Sequence, residues 1–227
     1  QYLYYCHDKN KRMVEDNVER IKNNIFVGPS YSNDEIKSFL DINKIDYKFL
    51  ETNSLLQTVA KLIVEGNVVG WYQGKMEWGP RALGNRSIIA DPRNAKMKDI
   101  LNEKIKHRES FRPFAPCILE EYTSEYFDID VPSPYMLLVA PVKKPEKIPA
   151  VTHVDGTARL QTVSKDINLL FYNLITEFHK ITGIPVLINT SMNVRGEPIV
   201  DTPEQAYNMI VKTDMDYIVM GDYIIKK

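Results

Sequence analysis

Gly183-Ile184-Pro185-Val186-Leu187-Ile188-Asn189-Thr190-Ser191-Met192-Asn193 is the stretch from which the architecture can be read. The helical pattern upstream, around Asp166–Thr182, stops at Gly183, the residue type that closes helices in the left-handed conformation. Pro185 to Asn189 then reads as a strand, built on the apolar Val186-Leu187-Ile188. Small amide and hydroxyl groups follow, and strand ends of this kind are where α/β folds place ligands. An ordinary polar turn is the competing reading of the same residues.

Outward from this unit the chain alternates. Ser32-Asn33-Asp34-Glu35 reads as a capping box opening a helix with Ile36, Phe39 and Leu40 on its buried face. Asn53 or Ser54 is expected to cap a second helix through Leu55, Leu56, Val59, Leu62 and Ile63, stopped by Gly66, with a buried strand from Asn67 to Tyr72. Asp91-Pro92-Arg93-Asn94 is expected to start a helix bearing Met97, Ile100, Leu101 and Ile105, and Tyr135 to Val142 reads as another strand. Thr202-Pro203-Glu204-Gln205 combines an N-cap, a proline at the first helical position and a capping-box glutamine. Tyr217–Met220 and Tyr223–Ile225, flanking Gly221-Asp222, predict a terminal hairpin. The class is α/β, with a twisted mixed β-sheet flanked by helices. Residues 1–27, with Val14, Val18 and Ile21 at helical spacing, read as a segment apart from the domain that fills 28–227.

The formal net charge of −1 on 227 residues gives no global pull toward nucleic acid or an anionic membrane, so any anion site must come from local clustering. No apolar run approaches the roughly 20 residues of a membrane-spanning helix, and no secretory signal is visible. Two cysteines, Cys6 and Cys117, make neither a disulfide framework nor a metal quartet, and a reducing cytoplasm is the expectation. The absence of an initiator methionine before Gln1 reads as a piece of a longer polypeptide.

Gly74-Lys75-Met76-Glu77-Trp78-Gly79-Pro80-Arg81-Ala82-Leu83-Gly84-Asn85-Arg86-Ser87 holds three of the ten glycines. Glycine lets backbone amides approach a ligand, and guanidinium forks match phosphate or carboxylate oxygens. From Lys75 to Arg112 ten Lys/Arg stand against five acids, a local charge of +5 that suits a polyanion or a solvated basic face. Gly79 and Gly84 have P-loop spacing, but Asn85-Arg86 replaces the Lys-Ser/Thr ending, so that mechanism does not transfer. Lys106-His107-Arg108, if extended, points two cations to one side at a spacing of about 6–7 Å and can clamp a triphosphate and a second anion. In Thr152–Val163, His153 and Asp155 fall short of a metal site, and Arg159 among hydroxyls is the better ligand-binding candidate. No G-x-S-x-G elbow is present, which directs attention to positioning and charge neutralisation rather than nucleophilic catalysis.

Together the Gly74–Ser87 segment, Phe111-Arg112-Pro113-Phe114-Ala115-Pro116, His153-Val154-Asp155-Gly156-Thr157-Ala158-Arg159 and Asn189–Asn193 resemble the C-terminal domain of the O-carbamoyltransferases, nodulation-factor and antibiotic-tailoring enzymes, over about residues 25–227. The resemblance implies a YrdC-like fold whose ligand site joins a Lys-x-Arg pair, here Lys106 and Arg108, to a Ser-x-Asn pair, here Ser191 and Asn193. It implies formation of carbamoyl adenylate from ATP and carbamoyl phosphate with release of pyrophosphate, and transfer to a hydroxyl by a separate N-terminal actin-like domain absent from this chain. Residues 1–27 would be the remnant of that domain. Lys106, Arg108 and Arg81 are the expected catalytic cations. Lys75, Arg86, Arg112, Arg159, Asn189, Ser191 and Asn193 are the expected ATP and carbamoyl phosphate contacts. Mg2+ would be bound mainly by substrate phosphates, with Glu77 or Asp155 as possible contributors. Two other readings stand: synthesis of threonylcarbamoyl adenylate for tRNA modification, and a nucleotide-binding or docking module without turnover.

Overall fold

The computed structural model describes residues 25–227. The helix expected across Val14, Val18 and Ile21, and the remnant assigned to residues 1–27 for all but its last three residues, lie outside the described residues. From the N-terminal side the elements are α1 (Asn33–Ile42), β1 (Lys48–Phe49), α2 (Thr52–Val64), β2 (Val69–Tyr72), β3 (Arg86–Ala90) and α3 (Met97–Ile100), which runs into a π-helix over Leu101–Lys106. There follow β4 (Ala115–Leu119), α4 (Thr123–Tyr126), β5 (Val139–Pro141), β6 (Thr157–Arg159), β7 (Gln161–Val163) and α5 (Leu169–Thr182). The chain finishes with β8 (Val186–Ser191), α6 (Pro203–Lys212), β9 (Tyr217–Met220) and β10 (Tyr223–Lys226).

Eight strands form one sheet in the order β1-β10-β9-β2-β3-β8-β4-β7, and β5 with β6 forms a separate two-stranded sheet. The large sheet is mixed, since β2–β9 and β4–β7 are parallel and the other neighbours antiparallel. Every residue of β2, β3 and β4 is buried, which requires cover on both faces of the sheet. Helices supply that cover with stripes at helical spacing: Leu55, Leu56, Val59, Ala60 and Ile63 on α2 and Phe171, Tyr172, Leu174, Ile175 and Phe178 on α5, which pack against each other, and Ala206, Met209 and Ile210 on α6, which packs against β2 and β9. Both expected capping boxes form, at Ser32/Glu35 before α1 and Thr202/Gln205 before α6. Gly183 closes α5 in the left-handed region, and the terminal hairpin pairs Met220 with Tyr223 as expected.

Several expectations need correction. Neither Asn53 nor Ser54 caps α2, which starts at Thr52 after an N-cap Glu51 that makes no side-chain capping bond. Asp91 does not open a helix; its carboxylate accepts from Arg93 Nε at 2.9 and 3.0 Å, and the helix begins at Met97. The strand expected over Tyr135–Val142 shrinks to Val139–Pro141 in the small sheet. The Lys106-His107-Arg108 segment is not extended. Met97, Leu101 and Ile105, four residues apart, all reach the core, so the chain stays helical through Lys106 and then reverses at His107, φ 47° and ψ 51°.

The loop between β2 and β3 must pass close to α5. Gly84 sits there at φ +110°, and a Cβ on it would lie 2.4 Å from the Phe171 ring. Backbone strain and overpacking therefore add at one position. Gly84→Ala is expected to lower unfolding free energy by about 3 kcal/mol or more; urea denaturation checks this, and a loss under about 1 kcal/mol would show that the loop yields.

Candidate functional site

Five chain segments meet at one cleft of about 110 Å³, one of them contributing only Met136. The β2–β3 loop brings Pro80, Arg81 and Ala82; the segment after the π-helix brings Arg108, Pro113 and Phe114; β6 ends with Arg159; and β8 ends with Asn189, Thr190 and Ser191. Three guanidinium groups thus face one small space, and no carboxylate lines it. Such a space suits an anion with several oxygens.

Of the three, Arg108 is held by neutral groups. Arg108 donates from Nε to Asn102 Oδ1 at 2.7 Å and lies 4.8 Å from the Phe114 ring centroid. Asn102, fully buried in the π-helix, also donates to the Ser110 and Arg112 carbonyls at 3.2 and 2.9 Å, fixing the loop that carries Arg108. Arg159 is half-buried; burial first, and the Arg81 charge second, lower its pKa. Arg108 shifts in the same direction, through burial and then the Arg112 charge.

The joined pairs expected from sequence are present on one side. Lys106 Nζ donates to the Ser191 carbonyl, to the Asn193 carbonyl at 2.9 Å and to Asn193 Oδ1 at 2.9 Å. Ser191 Oγ donates to Asn193 Oδ1 at 2.7 Å. Lys106 therefore fastens the end of β8 from behind the cleft instead of lying alongside Arg108. Burial, then the Arg108 charge, pulls its pKa down to about 7.

Other expected site residues have different employment. Arg86 is fully buried at the start of β3. It donates to the carbonyls of Gln73 at 2.6 Å, Gly74 and Pro29 at 3.2 Å and Asn85 at 3.0 Å, and stacks 3.8 Å over Tyr72. Its guanidinium is a brace for the loop, not a cleft group. Glu77 Oε1 accepts the backbone N–H groups of Leu83, Asn85 and Arg86 at 2.8, 2.6 and 3.2 Å, so this carboxylate clamps the same loop. Asp155 is exposed and accepts from Thr157 N and Oγ1 at 3.0 and 2.7 Å across a turn. Among the described residues no group of three or more His, Cys, Asp or Glu could hold a metal ion. Arg112 is exposed and paired with Glu109 at 3.0 Å, and Lys75 is exposed outside the cleft lining.

Sequence reasoning passed over Thr190, Phe114, Asn102 and Gln161. The last donates from Nε2 to the Leu83 carbonyl at 2.9 Å, while its Oε1 accepts from Asn189 Nδ2 at 2.7 Å. Thr190, Phe114 and Gln161 lie inside the Asn189–Asn193, Phe111–Pro116 and Thr152–Val163 stretches. Asn102 carries no local signal, since only the tertiary fold gives it partners.

Two stability measurements test these assignments. Removing the Arg86 fork takes the donor from the Gln73 and Gly74 carbonyls, while those of Asn85 and Pro29 keep the N–H groups of Gln73 and Met76, so Arg86→Met is expected to cost about 3 kcal/mol or more, read from urea denaturation; a loss below about 1 kcal/mol would return Arg86 to the ligand-facing set. For Lys106, both folded and unfolded chains carry the ammonium below pH 7. As pH rises from about 7 toward 10.5, the folded state gives up its proton first and the unfolded state keeps it, so stability rises with pH in that window. Relative to Lys106→Met, the wild-type chain is expected to gain stability between pH 7 and 9, at no more than about 1.4 kcal/mol per pH unit; parallel profiles would show that Lys106 keeps an ordinary pKa.

The profile of the carbamoyltransferase C-terminus matches residues 60–227. The chain is 51% identical over 173 residues to nodulation protein NolNO of Sinorhizobium fredii, covering 74% of this chain and 25% of that protein. It is 41% identical over 216 residues to nodulation protein NolO of Bradyrhizobium diazoefficiens, covering 89% and 38%. An uncharacterised Synechocystis protein, sll1178, is 46% identical over 226 residues, covering 89% and 37%. The chain thus spans about a quarter to two fifths of the length of these relatives. Among solved structures, Sua5 of P. abyssi complexed with L-threonine superposes with a TM-score of 0.55 at 17% identity, covering 77% of this chain and 48% of that one. E. coli YciO gives 0.54 at 14%, covering 81% and 84%. These likenesses are in fold, and the fold is YrdC-like. The chain belongs to the carbamoyltransferase family and matches the C-terminal domain of its members.

Proposed function

We propose that this domain binds ATP and carbamoyl phosphate and forms carbamoyl adenylate, which a further domain uses to carbamoylate a hydroxyl. The observation that carries the reading is the convergence of Arg81, Arg108 and Arg159 with Thr190 and Ser191 on one cleft without an acid. Two phosphorylated ligands repel each other in water. A cleft that presents three forked cations lowers that barrier by placing and neutralising both.

The overall chemistry balances as follows. Carbamoyl phosphate gives its phosphate to water, and a carbamate oxygen bonds to the α-phosphorus of ATP. The bond from that phosphorus to the bridging oxygen breaks, and pyrophosphate leaves. Arg81, Arg108 and Arg159 would hold the phosphate oxygens as charge moves toward the leaving groups. Ser191 would donate to a phosphate oxygen once its hydroxyl turns from Asn193. Lys106, held by Ser191 and Asn193, would keep that end of β8 in place and add positive charge as a bound anion raises its pKa. Magnesium would ride on the ATP phosphates, with Glu77 and Asp155 already committed to backbone and turn. The domain division would place this activation step at residues 28–227, and the extra length of the relatives would house the transfer step.

The family match favours this reading over threonylcarbamoyl-adenylate synthesis, for which fold likeness alone speaks. Pyrophosphate release measured with ATP, Mg2+ and carbamoyl phosphate is expected to require all three. Arg108→Ala is expected to cut that release by about 100-fold or more, a loss typical of one charged contact to a developing charge. Release that needs threonine and bicarbonate in place of carbamoyl phosphate would overturn the reading, as would full activity in Arg108→Ala.

A further inference from the structure

Two buried polar atoms in the residues that line the cleft have no hydrogen-bond partner: Asn189 Oδ1 and Arg159 Nε. One is an acceptor and the other a donor. Asn189 is 1% exposed, so this vacant acceptor is part of a built interior and not a surface accident.

The orientation of the Asn189 amide is fixed by its neighbours. Nδ2 donates to the Ala82 carbonyl at 3.1 Å, a group that can only accept. It also faces Gln161 Oε1, and Gln161 in turn is oriented by donating to the Leu83 carbonyl at 2.9 Å. Two backbone carbonyls thus anchor both side-chain amides, and a flip of either would set N–H against N–H or oxygen against oxygen. Oδ1 is left as a buried, unpaired acceptor on a residue lining a cleft whose charged side chains are all donors.

An arginine cleft for phosphate has no use for such an acceptor, because ionised phosphate oxygens only accept. A primary amide does: its N–H and its carbonyl sit side by side and supply one donor and one acceptor. We propose that Asn189 and Arg159 form a recognition pair for the carbamoyl group, with the ligand's NH2 donating to Asn189 Oδ1 and its carbonyl accepting from Arg159 Nε. The proposal rests on the function proposed above and names the residues that select the carbamoyl end of the substrate. Gln161 is the positioning residue, since it fixes which end of the Asn189 amide faces the ligand. Arg81 and Arg108 hold the phosphate end in this arrangement. Selection follows because a ligand with a methyl group in place of NH2 leaves the buried acceptor unpaired.

The test compares carbamoyl phosphate, acetyl phosphate and inorganic phosphate by calorimetry on the wild-type chain. Acetyl phosphate differs only in CH3 for NH2, and it is expected to bind on the order of 10- to 100-fold more weakly than carbamoyl phosphate. In Asn189→Leu that preference is expected to fall below about 3-fold, with acetyl phosphate affinity little changed, and Gln161→Met is expected to reduce the preference while sparing phosphate binding. The wild-type comparison needs no variant to fold. Equal affinity of the wild-type chain for carbamoyl and acetyl phosphate overturns the recognition pair and leaves the anion cleft standing. Preference undiminished in folded Asn189→Leu does the same. Absence of binding by all three ligands to the folded chain overturns the proposed function and takes this inference with it.

Discussion

Like charges crowded without a counter-ion are the constraint around which this domain is built. Arg81, Arg108 and Arg159 face one cleft, and Lys106 lies behind it close enough to feel Arg108. In a site partly shielded from water, neighbouring cations repel appreciably. The fold holds them without placing a carboxylate in the cleft, where it would compete with an anionic ligand. Asn102 and the Phe114 ring fix Arg108, Asn193 and the carbonyls at the end of β8 fix Lys106, and the acids that are present work elsewhere.

Glu77 illustrates that division. Its carboxylate could have neutralised a guanidinium, but it gathers three backbone N–H groups of the 83–86 turn. Arg86 closes the other side of the same loop on carbonyl oxygens, with its charge spent entirely inside the protein. Together these two buried groups, with Gly84 pressed against Phe171, set where Arg81 emerges. A cleft arranged before the ligand arrives needs little reorganisation when charge moves, which is the usual source of electrostatic catalysis.

Much of this was legible locally and some could not be. Capping boxes at Ser32 and Thr202, the Gly183 stop, β8 and the terminal hairpin are written in residues a few positions apart, and each formed where expected. Strands β3, β4, β6 and β7 were missed for identifiable reasons. β3 begins at a charged arginine against a glycine-rich loop, β4 carries Pro116 in its interior, and β6 and β7 are three residues each. Within the site, Arg81, Arg108, Arg159, Asn189 and Ser191 were singled out and reach the cleft. Arg86 and Glu77 bond backbone groups of the β2–β3 loop, an arrangement hidden from a sequence that shows charge but not burial. The extended geometry expected for Lys106 and Arg108 is replaced by a helical one, since nothing in Lys-His-Arg announces a π-turn ended by a left-handed histidine.

The central claim, that one cleft gathers the ligand phosphates between Arg81, Arg108 and Arg159, is tested most directly by a crystal structure. The chain would be crystallised with carbamoyl phosphate and a non-hydrolysable ATP analogue. The account predicts phosphate density within hydrogen-bonding distance of those three guanidinium groups, with Arg86 still braced on the carbonyls of Gln73 and Gly74. Ligand bound away from the cleft, or held by Lys75 and Arg112 on the surface, would contradict it.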